Sequence, residues 1–332
     1  MREISESVEL YLADGTLNPE AVGWSRRPVH RTGLRGWGRN KRWEYWCVMT
    51  PTHLVAMTVS DIDYLAVSSV YFLEYGGVEV AKGASLPFGG GARLPETLGE
   101  GPAMARGPGL VVQVADTGGR ALLRASARTK QGPLTVDLEV VRPEGHEVLG
   151  VVVPWSDRRF QYTSKQNTLP ATGTVTLGDR TFEFGDDAWA VLDHGRGRWP
   201  YDITWNWGAG SGRTGGHTVG LQFGGKWTEG TGSTENALCV DGRLTYLPDE
   251  LEWTYDLSDR AAPWRIRSRH DDAVDLTFTP FHRRTERTSV GLLLTDARQC
   301  FGHYTGTIHP ADADRLRIEG IRGWAEEVHM RW

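Results

Sequence analysis

The sequence predicts an all-β protein, built as two tandem antiparallel β-barrels. Three observations predict it. Period-2 patterning dominates and no long helical period occurs. Turn residues recur about every ten residues. The second half of the chain repeats the ending of the first.

The strands are read in chain order. Arg42–Thr50 (RWEYWCVMT) and His53–Tyr75 are rich in aromatic and β-branched residues, which suit a pleated, half-buried surface. Gly76–Gly109 reads as a long irregular connection. Strand patterns resume at Leu134–Pro143, Glu147–Trp155, His217–Trp227, Trp264–Phe281 and Ser289–Ala297. Gly, Pro, Asp and Asn clusters separate them.

The repeat is visible on writing two segments together. TGTVTLGDRTFEFGDDAWAVLDHGRGRW begins at Thr172, and TGTIHPADADRLRIEGIRGWAEEVHMRW begins at Thr305. With two extra residues in the second loop, Asp179-Arg180 meets Asp314-Arg315. Trp189 then meets Trp324, His194 meets His329, and both segments close on Arg-Trp. Each half therefore ends in the same structural element. The expected domains are 1–199, a first barrel with an N-terminal extension, and 200–332, a second barrel. A unit of that size fits a barrel of eight to ten strands, able to hold one small ligand.

Composition narrows the function. The net charge of −5 gives no basic face for nucleic acid. Cys47, Cys239 and Cys300 are too sparse for a disulfide framework or a zinc site and read as buried thiols. The opening MREISESVEL has no apolar secretory core, and no apolar run approaches a membrane span. A soluble, cytoplasmic protein in a reducing compartment is expected, with no metal.

The junction between the halves, DHGRGRWPYDITWNWGAGSG (Asp193–Gly212), is chemically the richest stretch. Asp193 and His194 are neighbours, so in a strand they point to opposite faces and cannot share one cavity. His194 recurs as His329, which favours a structural role; Asp193 is replaced by Val328 in the repeat and is the better functional candidate. Desolvated among aromatic rings it would be an acid; paired with Arg196 or Arg198 it would be a clasp. Ile203, Trp205 and Trp207 share one face, Thr204 and Asn206 the other. Trp43 and Tyr45 repeat the aromatic spacing of Trp205 and Trp207. These tryptophans are either packed core or the lining of an aromatic cavity. Lys165 and the arginines suit an anion or an ion pair. Gly208–Gly212 reads as a turn, and Glu326-Glu327 as exposed, or with one side chain turned inward.

With the junction, RWEYW at Arg42–Trp46, KQNTLPATGTV at Lys165–Val175 and CFGHYTGTI at Cys300–Ile308, the chain resembles the AttH-like superfamily. That group includes carotenoid 1,2-hydratases, tocopherol cyclase, Diels–Alder cyclases and ceramide-binding survival factors. The closest likeness is to a bacterial branch named only as a domain of unknown function. Trp189 stands four residues before Asp193, not the superfamily's two, and Asn206 replaces its acidic residue between the tryptophans. The resemblance implies two lipocalin-like barrels and an apolar, isoprenoid- or lipid-like (terpenoid) ligand. It also implies cofactor-free acid-assisted hydration, cyclisation or isomerisation of an olefin. A non-catalytic lipid carrier and a purely structural interaction module are the alternatives. The catalytic candidates are Asp193, His194 and Arg196. The substrate-binding candidates are Tyr45, Lys165, Trp199, Tyr201, Trp205, Asn206 and Trp207.

Overall fold

The fold is described from a computed structural model, which covers residues 1–259, 261–290, 293–311 and 313–332. Two residues of the strand read over Ser289–Ala297 lie outside that set. An N-terminal segment contributes β1 (Val8–Glu9), a 3-10 turn (Pro19–Ala21), β2 (Trp24–Ser25) and β3 (His30–Arg31). It lays Leu10, Tyr11 and Leu17 against Val152, Phe160 and Tyr162 of the first half.

The first large sheet is formed by β4 (Lys41–Met49), β5 (His53–Asp61), β6 (Leu65–Glu74), β7 (Glu79–Pro87), β8 (Ala92–Arg93), β9 (Ala103–Gly107), β10 (Leu110–Asp116), β11 (Arg120–Thr129), β12 (Gly132–Val141), β13 (Leu149–Pro154), β14 (Phe160–Leu177), β15 (Arg180–Phe184) and β16 (Trp189–Arg198), with β2 added at one edge. Its main path runs β7-β6-β5-β4-β16-β14-β12-β11-β10-β9-β8, antiparallel throughout. The sheet curls until its edges meet: a Cβ placed on Gly107 of β9 would lie 2.4 Å from the Ala84 Cβ of β7.

The second sheet comprises β17 (Asp202–Thr214), β18 (His217–Gly225), β19 (Ala237–Val240), β20 (Arg243–Tyr246), β21 (Leu251–Thr254), β22 (Trp264–Ser268), β23 (Val274–Val290), β24 (Leu293–Ile308) and β25 (Leu316–Arg331). Its order, β20-β19-β18-β17-β25-β24-β23-β22-β21, repeats that of the first. β17 stands for β4, β25 for β16, β24 for β14 and β23 for β12. The two TGT motifs do the same work. Gly173 and Gly306 have φ of +127° and +134°. A Cβ on either would lie 2.3 Å from the Asp137 carbonyl or 2.2 Å from the Asp275 carbonyl of the neighbouring strand. Those carbonyls belong to matching triplets, Val136-Asp137-Leu138 and Val274-Asp275-Leu276. The protein is thus nearly all β, two curled antiparallel half-barrels of one pattern.

Alternation along the strands sends side chains to two kinds of core. Trp46, Val48, Val55, Phe72, Leu123, Leu138 and Leu192 fill the interior of the first curl. Leu221, Phe223, Trp264, Phe278 and Tyr304 fill the second. The opposite face of β4 and β16 is also buried. There Tyr45, Cys47, Met49 and Val191 meet Trp207, Ala209, Phe301 and Trp324 of β17, β24 and β25. The contact is reciprocal between equivalent strands. Tyr71 of β6 stacks on Phe301 of β24 at 6.0 Å, while the Thr168 hydroxyl of β14 lies 3.8 Å from the Cys239 sulfur of β19, the strand that stands for β6.

Two expectations are corrected. Residues 76–109 are not one irregular connection but contain β7, β8 and β9. The Ala, Gly and Ser of EVAKGASLP have weak strand propensity, and pairing with β6 overrides it. Gly208–Gly212 is not a turn but the middle of β17. Its glycines make room for a ring: a Cβ on Gly208 would lie 2.6 Å from the Tyr304 hydroxyl.

Candidate active site

The middle layer carries a charged cluster. Lys165 on β14 and Asp193 on β16 are direct cross-strand partners, so their side chains leave the sheet on the same face. The Lys165 ammonium is buried, 3.0 Å from Asp193 and 3.1 Å from Glu235. It also lies 4.0 Å from the centre of the Trp207 ring, a cation–π contact strengthened by desolvation. Burial alone would lower its pKa; the Asp193 and Glu235 carboxylates outweigh burial and raise it.

Asp193 is fully engaged. Besides Lys165, it accepts from the Trp43 indole N–H at 2.9 Å and from the Thr163 hydroxyl at 3.1 Å. Gly195 permits this, because a Cβ there would sit 2.2 Å from the Trp43 ring. Glu235 lies in the loop between β18 and β19. That loop is tied down by Ser233 donating to the Val152 carbonyl and by Asn236 accepting from the Gly224 amide. Burial pushes the Glu235 carboxyl up to about 7, against the pull of Lys165 and with help from the Asp193 charge. The Trp227 indole N–H also bonds to it.

A third carboxyl completes the cluster. Glu326 on β25 is buried and accepts from the Trp205 indole at 3.1 Å and the Gln299 amide at 2.9 Å. Burial pushes it up to about 7; the Trp205 hydrogen bond and Lys165 oppose the rise. Three tryptophans thus each donate one N–H to one of three carboxyls. Around them Trp199 stacks on Trp227 at 5.1 Å, with Trp43, Trp155, Trp205 and Trp332 partly buried at the edge of the same group.

The expected residues divide between faces. Tyr45, Lys165, Asp193, Trp199, Trp205 and Trp207 belong to the middle layer. Trp205 is partly exposed there and Trp207 buried. The partner of Asp193 is a lysine, not Arg196 or Arg198. His194 and Arg196 project to the other face, as strand alternation requires. They meet Glu44 at 3.6 and 3.7 Å, and burial, helped by the Arg196 charge, lowers the His194 pKa to about 4. Arg196 otherwise donates to the Trp43, Gly195 and Pro95 carbonyls. Asn206 faces the second interior, donating to the Tyr255 hydroxyl. Tyr201 is on the surface beneath Arg39. The expectation of an aromatic barrel lumen is also corrected: apolar side chains fill both interiors, and the aromatic wall lies between the halves. A separate opening of about 400 Å³ at the seam is lined by charged groups such as Arg26, Arg27, Glu147 and Arg243.

Sequence reasoning missed Glu235, whose TGSTEN surroundings read as a surface turn with no periodicity. It registered Glu326 only as one of two acidic residues. The signal was there, since Glu326 and Val328 alternate with Glu327 on β25.

Two repeated half-barrels with a buried polar layer between them define the class of fold. Within it the chain belongs to the family described as Domain of unknown function (DUF2804), matched over residues 1–332. Among solved structures it is similar to CghA in complex with Sch210972, at 13% identity and a TM-score of 0.52, covering 91% of this chain and 89% of that one. A putative AttH from Nitrosomonas europaea is 12% identical with a TM-score of 0.49, covering 87% and 92%. Kievitone hydratase from Nectria haematococca is 10% identical with a TM-score of 0.49, covering 89% of each chain. No curated protein matches the chain. No helix among the described residues is long and apolar enough to cross a membrane.

Proposed function

We propose that the layer between the halves binds an apolar small molecule of isoprenoid or lipid type and protonates one of its double bonds. The observation that carries this reading is Glu326: a buried carboxyl, pushed up to about 7, beneath the partly exposed Trp205. A carboxyl that still holds its proton near neutrality is a competent general acid. Its proton passes to one olefinic carbon and leaves a cationic centre on the other. Indole faces of the Trp205–Trp199–Trp227 group stabilise that charge. Capture by water with loss of a proton gives hydration; capture by a second double bond, followed by loss of a proton from the new cation to the Glu326 carboxylate, gives cyclisation; return of a different proton to Glu326 from the first cation gives isomerisation. Each outcome balances without a cofactor.

Asp193, the acid expected from sequence, is proposed instead as the clasp that fixes Lys165 and Trp43. Tyr45, Trp199, Trp205 and Trp207 are proposed as walls, and His194 and Arg196 as structural supports of β16. The buried Trp324 indole N–H, without a partner among the described residues, is a donor available to a polar group on the ligand. The solved CghA complex supports the choice of a small organic ligand, since Sch210972 occupies a protein of this fold. The division at residue 199 and a cytoplasmic location are part of the same proposal.

The test is mass spectrometry of apolar extracts from the purified protein, followed by turnover of whatever compound is retained. An apolar molecule should be recovered, and Glu326→Gln should still bind it but fail to convert it. Full conversion by Glu326→Gln would end the acid assignment. Binding without conversion by the wild type would favour the carrier.

A further inference from the structure

One end of the first half-barrel carries aromatic side chains that the core does not use. Trp37 is 67% exposed, Phe88 77% and Tyr201 48%. Trp37 sits between Gly36 and Gly38, both at positive φ, in a loop pinned at its base by the Gly38 amide donating to Asp63 at 2.6 Å. Phe88 precedes Gly89-Gly90-Gly91, and its amide donates to the Tyr64 carbonyl at 2.8 Å. Both tips therefore spring from the same two-residue base, Asp63-Tyr64. Phe88 itself has φ of +58°, a conformation a bulky side chain rarely adopts. The fold holds a large apolar ring in a disfavoured backbone state and points it at solvent.

Arginines lie around these rings in a chain whose net charge is −5, and the acidic groups beside them are paired, Asp202 next to Tyr201 with His329 at 2.7 Å. Asp61 and Asp63 are paired with Arg42 at 3.4 and 2.8 Å. Arg39 lies over the Tyr201 ring at 5.1 Å and Arg35 donates to the Ala13 carbonyl; among the described residues neither is ion-paired. Arg159 is close enough to Arg39 and Arg198 to feel both charges.

We propose that this end docks on an anionic lipid bilayer, with Trp37 and Phe88 inserting between headgroups and the arginines meeting the lipid charge. Separate protruding rings on glycine-flanked tips suit insertion into a soft interface better than a flat protein face. Trp in particular favours the boundary between headgroup and acyl chain. Basic residues near the surface add attraction to anionic lipid. The docked end also adjoins the tryptophan layer. Lys41 bonds the Tyr64 hydroxyl at 2.9 Å and lies 4.7 Å from the centre of the Trp332 ring, which meets Trp199 at 5.8 Å. An apolar molecule leaving the bilayer there would reach the aromatic group directly. The docking itself needs no substrate, so it stands or falls separately from the chemistry above.

The test is co-sedimentation of the full chain with vesicles of phosphatidylcholine alone or with about 30 mol% phosphatidylserine. The protein should pellet with the anionic vesicles and be released by salt. Trp37→Ser and Phe88→Gly should each weaken binding roughly tenfold, without lowering the melting temperature, since both side chains are exposed and glycine suits the Phe88 backbone. Trp37→Phe should keep most of it. Failure to pellet with anionic vesicles at low salt would overturn the proposal. So would variants that pellet like wild type, or self-association that the double variant abolishes in the absence of any vesicle binding.

Discussion

Replacing Lys165 by Met removes the cation from the centre of the buried cluster while nearly keeping its volume. The ammonium is 3.0 Å from Asp193 and 3.1 Å from Glu235. At an effective dielectric of about 20, each contact is worth roughly 5 kcal/mol of attraction. Much of that is offset by the several kcal/mol spent in burying the ammonium. The orphaned site also relaxes by taking up a proton. Glu235 already titrates at about 7, so protonating it at pH 8 costs only about 1.4 kcal/mol. The net loss should be about 3–5 kcal/mol at pH 8. For a chain of this size that is a fall in Tm of roughly 4–7 °C. At pH 6 Glu235 is already mostly protonated, so the loss should shrink. Thermal melts at pH 6 and pH 8, followed by circular dichroism, measure both. Adding Glu235→Gln to Lys165→Met should cost less than the two changes summed, because the pair is coupled. A Lys165→Met protein that melts within about 2 °C of wild type at both pH values would refute the cluster as described.

Glu326 gives a pH signature of its own. Its folded pKa, about 7, lies above the usual 4.5, so the folded state holds the proton more tightly. The stabilising contribution is complete below about pH 4.5 and is lost as pH rises to 7, amounting to about 3 kcal/mol. Glu326→Gln should flatten that part of the stability–pH profile, and superimposable profiles for the two proteins would argue against a buried titrating carboxyl. Gly173→Ala and Gly306→Ala should each destabilise by more than about 2 kcal/mol, since both combine positive φ with a carbonyl in the path of the Cβ. Chemical denaturation checks this, and a neutral result at either position would deny the equivalence of the two TGT motifs.

The repeat and the strand alternation were legible in the sequence because they depend on local periodicity. TGT, Trp and the closing Arg-Trp recur, and the opposite facing of Asp193 and His194 follows from strand geometry alone. The layer between the halves was not legible, because it is a property of register. Lys165 and Asp193 are 28 residues apart and meet only through the β14–β16 pairing. Glu235 reaches them from a loop of the other half. Glycine alone does not tell a turn from a close approach. Gly208 and Gly210, read as part of a turn, make room for the neighbouring Tyr304 ring, whereas the glycines beside Trp37 and Phe88 do make tight turns. Tyr201, a few residues from the buried Trp205-Trp207 strand, fell outside because the chain is still on the surface as it crosses from one sheet to the next.

The reciprocal packing of equivalent strands, β6 on β24 and β19 on β14, is the arrangement of a symmetric homodimer about a twofold axis. In a homodimer every side chain near the axis appears twice, so a single proton donor facing a single clasp cannot be built. Joining the copies into one chain removes that restriction. Asp193 now faces across to a half whose matching residue is Val328, and Glu326 to one whose matching residue is Val191. Each half carries one carboxyl where the other has valine, at positions two residues out of step. The two walls of the layer therefore differ, and the layer has a direction that two identical subunits could not supply.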